Sequence, residues 1–165
     1  MKWDSKKSVI LSLACNRAVM VLAVAAAAAL LWPPGRSAFV ASLMETGSRG
    51  RLPPLDMPAV AVAVPAIALA CVAAALFALW LLDRLLRNIR GGEVFVRGNV
   101  AALRGISWCC FAEAALLALA AFLSSVFFLF CLLALMAGFV GIILRVVKNV
   151  IEAAVLLKEE NDLTI

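Results

Sequence analysis

Two ionisable residues, Arg17 and Glu113, stand inside otherwise apolar stretches, and such residues in a membrane-length run are functional candidates by default. Arg17 sits about 13 Å along a helix from the start of its run, and Glu113 roughly 10 Å from the start of its own. If both runs start at the same membrane face, the matching depths predict an Arg17–Glu113 ion pair, with Asn16 adding a hydrogen bond. Such a pair would be a packing pin that sets helix rotation, or Arg17 would snorkel to lipid headgroups. The functional alternative is a proton- or ligand-sensitive switch. No second acid lies in these runs to extend a polar track across the membrane.

Other chemistry is largely excluded. The 165 residues include no His and no Tyr, which removes bis-His haem ligation, His-based zinc sites and every Ser-His or Cys-His arrangement. The cysteines Cys15, Cys71, Cys109, Cys110 and Cys131 form no C-x-x-C pattern. Adjacent Cys109-Cys110 could bond only through a strained local peptide, and buried free cysteine is an ordinary small hydrophobe. The expectation is no catalytic residue, no metal and no cofactor: the chain is read as not an enzyme.

The elements that carry Arg17 and Glu113 follow from composition. Hydrophobic residues make up 66% and charged residues 15%, and mean hydropathy is +1.09. No soluble fold of this length can hide that much apolar surface, so much of the chain faces lipid. About 20 apolar residues cross a bilayer. Runs at about 8–32 and 58–82 meet that length. A third, 106–144, holds 39 residues, roughly 58 Å as one helix and about twice the hydrocarbon thickness. It must fold back, with Ser124-Ser125 as the expected turn, giving spans at about 106–124 and 127–145. The predicted fold is an all-α membrane protein, a four-transmembrane-helix antiparallel bundle forming one domain. A connector at 83–105 and a helical extension and tail at 146–165 complete it. The first run is too long for a signal-peptide core and carries Asn16-Arg17 within it, so it reads as an uncleaved span.

Lys and Arg counts orient the spans. The N-terminal tail, the 83–105 connector and the C-terminal tail together hold eleven, against three (Arg36, Arg49 and Arg51) in the first loop and none in the third. Both termini are therefore expected in the cytoplasm, with the chain multi-pass in the cell membrane and the loop from Pro33 to Met57 outside and irregular. The net charge of +5 expresses this topology and interaction with anionic lipid, not direct nucleic-acid binding.

Small residues recur every fourth position in span two (Ala66, Ala70, Ala74, Ala78) and in span four (Ala134 with Gly138, Ala137 with Gly141). Both stripes read as helix–helix contacts, and either could support a homodimer. Pro65 is expected to kink span two. Beyond the spans, Arg84, Arg87 and Arg90 recur at helical spacing, Gly91-Gly92 predicts a left-handed helix end, Phe95 is expected to pack the connector down, and a new helix starts near Asn99. The chain closes on the acids Glu159, Glu160 and Asp162, followed by the apolar Leu163 and Ile165, a pattern that suggests a docked tail.

The connector LLRNIRGGEVFVRGNVAALRGISW and the ending LKEENDLTI resemble DUF2975, a family of small four-span bacterial membrane proteins of unknown function. The resemblance rests on Asn88, Ile89, Gly92, Phe95, Asn99, Val100, Leu103 and Arg104, then on Glu160, Asp162, Leu163 and Thr164. Val96 and Gly98 stand where that family often has a Ser or Thr and an acid suited to capping the next helix. No catalytic residue carries over from the resemblance, because that family has none established. The resemblance implies association with small helix-turn-helix regulators, which are commonly encoded beside family members.

Two functions follow as expectations. The first is a non-enzymatic regulatory membrane protein that binds or sequesters a small DNA-binding, helix-turn-helix regulator at its cytoplasmic face. Arg84, Arg87, Arg90, Phe95, Asn99, Arg104, Glu160, Asp162, Leu163, Thr164 and Ile165 would form the contact. The alternative is a small membrane transporter or channel subunit that uses Glu113 and Arg17.

Overall fold

In hydrocarbon every backbone N–H and C=O must be satisfied within its own segment, so long Ala, Leu and Val runs become helices. The computed structural model describes residues 5–45, 57–123 and 127–162. It contains α1 (Ser5–Leu31), α2 (Pro33–Glu45), α3 (Met57–Arg90), α4 (Arg97–Leu123) and α5 (Phe127–Asp162). Among the described residues there is no strand. All except α2 are long and apolar enough to cross a membrane. Their outer surfaces expose residues that water would not tolerate in such number, among them Phe128, Leu135, Val21 and Leu22. The chain is a multi-pass membrane protein.

The third apolar run divides as expected, with α4 ending at Leu123 and α5 starting at Phe127. Ser124 and Ser125 themselves lie outside the described residues. α3 runs unbroken past Pro65. The first loop departs from expectation, because its first half is helix α2 and not irregular chain. Proline lacks an N–H that the first helical turn does not need, so Pro33-Pro34 ends α1 and starts α2 equally well. Trp32 joins the two, donating to the Ala28 carbonyl at 3.1 Å and accepting from the Arg36 N–H at 3.0 Å. A Cβ at Gly35 would overlap the Ala29 carbonyl oxygen, so the bend needs glycine there. Arg49, Arg51, Pro53 and Pro54 lie outside the described residues.

The spanning helices pack in chain order: α1 on α3, α3 on α4 and α4 on α5, with α2 resting on α1 and α3. Among the described residues α1 touches neither α4 nor α5. The α4–α5 contact is the most extensive, and the small residues of α5 explain it. Gly138 faces Ala114, and a Cβ at Gly141 would lie 3.2 Å from the Cys110 Cβ and 3.3 Å from the Phe111 ring. This close approach lets the Ser107 hydroxyl donate to the Gly141 carbonyl at 2.9 Å. The α3 stripe behaves differently. Ala74 and Ala78 are half-buried, while Ala66 and Ala70 are exposed, so only part of that stripe meets another helix.

α3, α4 and α5 all continue beyond the apolar runs at the end where the 91–96 turn joins α3 to α4. Leu85, Ala102 and Leu103 form a buried cluster there, covered by Leu82, Ile89, Leu144 and Ile151. This connector end thus has a small apolar core of its own.

Packing at α5 predicts opposite outcomes for two glycines. Gly138→Ala adds a methyl at ordinary contact distance, 3.8 Å from Ala114, and should leave stability in a mixed-micelle unfolding titration within about 0.5 kcal/mol. Gly141→Leu should cost about 1–3 kcal/mol by overpacking against Cys110 and Phe111. Equal effects at both positions would contradict this interface.

Candidate functional site

The connector is organised by amide chemistry. α3 ends with Gly91 N–H bonded to Arg87 O, Gly92 N–H to Ile89 O and Glu93 N–H to Asn88 O, each at 3.0 Å. Gly92 has φ of +86°, the left-handed conformation the sequence predicts and one that other residues rarely adopt. Asn99, in the first turn of α4, is 1% exposed. Its Nδ2 donates to Glu93 O and Val94 O, both at 2.8 Å. Its Oδ1 accepts from Asn88 Nδ2 at 2.8 Å. Two carbonyls that would otherwise be orphaned in the turn are satisfied by one buried side chain. Asn99 thus fixes the turn through its carbonyls, a different task from the helix capping for which Val96 and Gly98 have no side-chain acceptor.

Charged side chains join the helices around this turn. Asp83, 7% exposed, is held between Arg17 of α1, at 3.3 Å, and Arg87 one turn along α3, at 2.8 Å. Arg97, the first residue of α4, donates to both carboxylate oxygens of Glu159 near the end of α5, at 2.8 and 2.7 Å. Glu152 accepts from Lys148 on its own helix and lies 3.6 Å from Arg104 of α4. The hydrogen bond from Arg97 lowers the Glu159 pKa below the usual carboxylate range. The Lys148 hydrogen bond, then the Lys148 and Arg104 charges, do the same for Glu152.

The expected Arg17–Glu113 pair does not form. Arg17 pairs with Asp83, whereas Glu113 faces the Cys71 thiol across the α3–α4 interface. Depth was matched, but α3 separates α1 from α4. Asn16 is buried and donates to Leu79 O at 3.0 Å, also on α3. Phe95 does not pack the connector down; it is 48% exposed, because Asn99 already pins the turn from inside. Arg84 and Arg90 are exposed, Arg87 is committed to Asp83, and Arg104 leans on Glu152. Glu160 is exposed on α5, Asp162 closes that helix, and Leu163, Thr164 and Ile165 lie outside the described residues.

Asp83, Arg97, Glu152 and Glu159 are participants that the site reading passed over. A signal for Asp83 was present, as the single acid in α3 and four residues before Arg87. Among the described residues no group of three potential ligands could hold a metal ion. The five cysteines are free. What this end offers chemically is recognition through exposed guanidinium and carboxylate groups on a fixed turn.

Three outcomes follow. Removing Asn99 strands the Asn88 amide and two carbonyls, so Asn99→Ala should cost about 1–3 kcal/mol in the same unfolding titration. A double-mutant cycle should give a coupling energy for Arg17 with Asp83 and none for Arg17 with Glu113; the reverse would restore the pair expected from depth. The Arg97–Glu159 and Glu152 contacts should hold above the ordinary carboxylate pKa and fade as pH falls through the lowered folded values. Spin labels at Ala101 and Leu156 should accordingly report a broadening distance distribution only below about pH 4.5. A distribution unchanged to pH 2, or already broad at pH 7, would refute the linkage.

No curated protein and no solved structure matches the chain. The family described as protein of unknown function (DUF2975) matches residues 22–165, a stretch that takes in Asn88, Gly92 and Asn99 of the pinned turn together with the whole of α3, α4 and α5. On that match the chain belongs to the DUF2975 family.

Proposed function

We propose that the protein is a non-enzymatic regulator in the bacterial cell membrane, with its connector end in the cytoplasm, where it holds or releases a small helix-turn-helix regulator. The placement draws on the eleven-to-three distribution of Lys and Arg. The observation that carries the reading is the two-pronged Arg97–Glu159 bond. It ties the acidic end of α5 to the connector on the exposed surface. A solvent-exposed pair contributes little net stability, so a competing charged partner can replace it. Arg84 and Arg90 are exposed on α3 without a bonded partner among the described residues. Val94 and Phe95 add partly exposed apolar surface. The acidic tail and the arginine connector then either bind each other or together bind the partner, and exchange between these two states is the mechanism of release. The transport alternative loses support, because Arg17 and Glu113 sit at different helix interfaces.

The test is a crosslinked pull-down from membranes with the full-length chain beside a form ending at Glu160. Recovery of a small DNA-binding protein with the full-length form alone, both forms being inserted equally, is the expected result. Equal recovery would remove the tail from the mechanism. Recovery with neither would overturn the regulatory reading and make Glu113→Gln the next variant to assay for conductance.

A further inference from the structure

A second charged feature lies between α4 and α5, sharing only Arg104 with the connector arginines. Arg104, Ser107 and Trp108 of α4 and Arg145 and Lys148 of α5 line a pocket with about 230 Å³ of free space, its mouth included. Among the described residues Glu152 is the one carboxylate that reaches these cations: Lys148 donates to it, and Arg104 stands 3.6 Å away. Arg145 has no carboxylate partner among the described residues. Its guanidinium lies 5.1 Å from the Trp108 ring centre and 5.9 Å from that of Phe111. Three cations against one carboxylate leave the pocket two positive charges in excess. Ser107, 3% exposed, spends its proton on the Gly141 carbonyl and forms part of the wall.

Position gives this charge its meaning. Arg104 and Arg145 stand where the apolar runs of α4 and α5 give way to polar sequence, at the level of lipid headgroups. Trp108, 58% exposed, supplies an interfacial aromatic wall one turn deeper. Basic pockets between spanning helices at this depth suit phosphate-bearing headgroups, and guanidinium groups match phosphate oxygens geometrically. We infer that the α4–α5 pocket binds the phosphate of an anionic phospholipid, with Arg104, Arg145 and Lys148 on the headgroup and Trp108 against its glycerol and upper acyl chain. Inorganic phosphate shares the headgroup chemistry but has nothing to place on the indole. The site is independent of the regulatory reading and of which leaflet the connector end faces.

The test uses the full-length protein in neutral detergent with Trp3, Trp32 and Trp80 changed to Phe, so that fluorescence reports Trp108. Short-chain phosphatidylglycerol should change the emission saturably. Phosphatidylcholine of the same chain length, or inorganic phosphate at the same concentration, should not. Arg145→Gln, which breaks no ion pair, should raise the half-saturating phosphatidylglycerol concentration about fivefold, and Arg104→Gln should act in the same direction. Equal responses to the two lipids, or no effect of either substitution, would overturn the site. Saturation by inorganic phosphate as readily as by lipid would overturn the lipid assignment and leave a free-anion site. Should the Phe substitutions prevent folding, native mass spectrometry of the unaltered chain, comparing retained phosphatidylglycerol with phosphatidylcholine, decides the same question.

Discussion

A turn between two membrane helices has to satisfy its own backbone, and here one buried amide meets that requirement. Asn99 is the most deeply enclosed large side chain described, and its carboxamide joins α3, the turn and α4 through three hydrogen bonds. Water is excluded from it, so each of those bonds is expensive to break. The positive φ of Gly92 and the helix end at Arg90 are the backbone conditions that bring Glu93 and Val94 within its reach. Asn99 therefore sets the register of α4 against α3.

That register propagates. With α4 in place, Leu103 and Ala102 meet Leu85 and Ile89, and Ile151 of α5 closes the cluster. Ser107 then lies opposite the bare backbone of Gly141. Arg104 reaches Glu152 and Arg97 reaches Glu159, about two turns further along α5. The contacts grade from buried and apolar near the membrane to exposed and ionic at the tip. Such a gradient suits a surface that exchanges partners: the inner contacts keep the platform, and the outermost pair opens at little cost. Asp83 does a separate task, carrying two arginines and thereby binding α1, most of whose surface is exposed, to the body formed by α3, α4 and α5.

Much of this architecture was legible in the residues. Apolar runs long enough to cross a membrane mark the spanning helices, and a 39-residue run must fold back because no bilayer is that thick. Gly91-Gly92 marks the end of α3 by the conformation that glycine alone adopts readily. What escaped was lateral order. Distance along a helix gives depth in the membrane, which is why Arg17 and Glu113 look like partners, but it carries no information on which helices are neighbours. The Pro33-Pro34-Gly35 string reads as irregular chain, although proline is equally at home in a first helical turn, and only the close approach of Gly35 to α1 distinguishes the two. Phe95 reads as an anchor by its type, yet the smaller and polar Asn99 holds that position because the turn presents carbonyls and not apolar surface. Asp83 falls at the edge of span two, where an acid looks like the start of a connector and not like the centre of an ion-pair cluster.

The most direct measurement of this account is residue-resolved hydrogen–deuterium exchange on the protein reconstituted in lipid, with Asn99→Ala alongside. The amides of Glu93 and Asn99, which donate to Asn88 O and Val96 O, should exchange slowly in the native chain. In the variant, protection should fall across the turn and spread to the connector-end half of α5, while the α4–α5 contact around Gly141 stays protected. A native turn exchanging at the rate of free peptide, or a variant whose loss stops at the turn, would contradict the claim that Asn99 positions the rest.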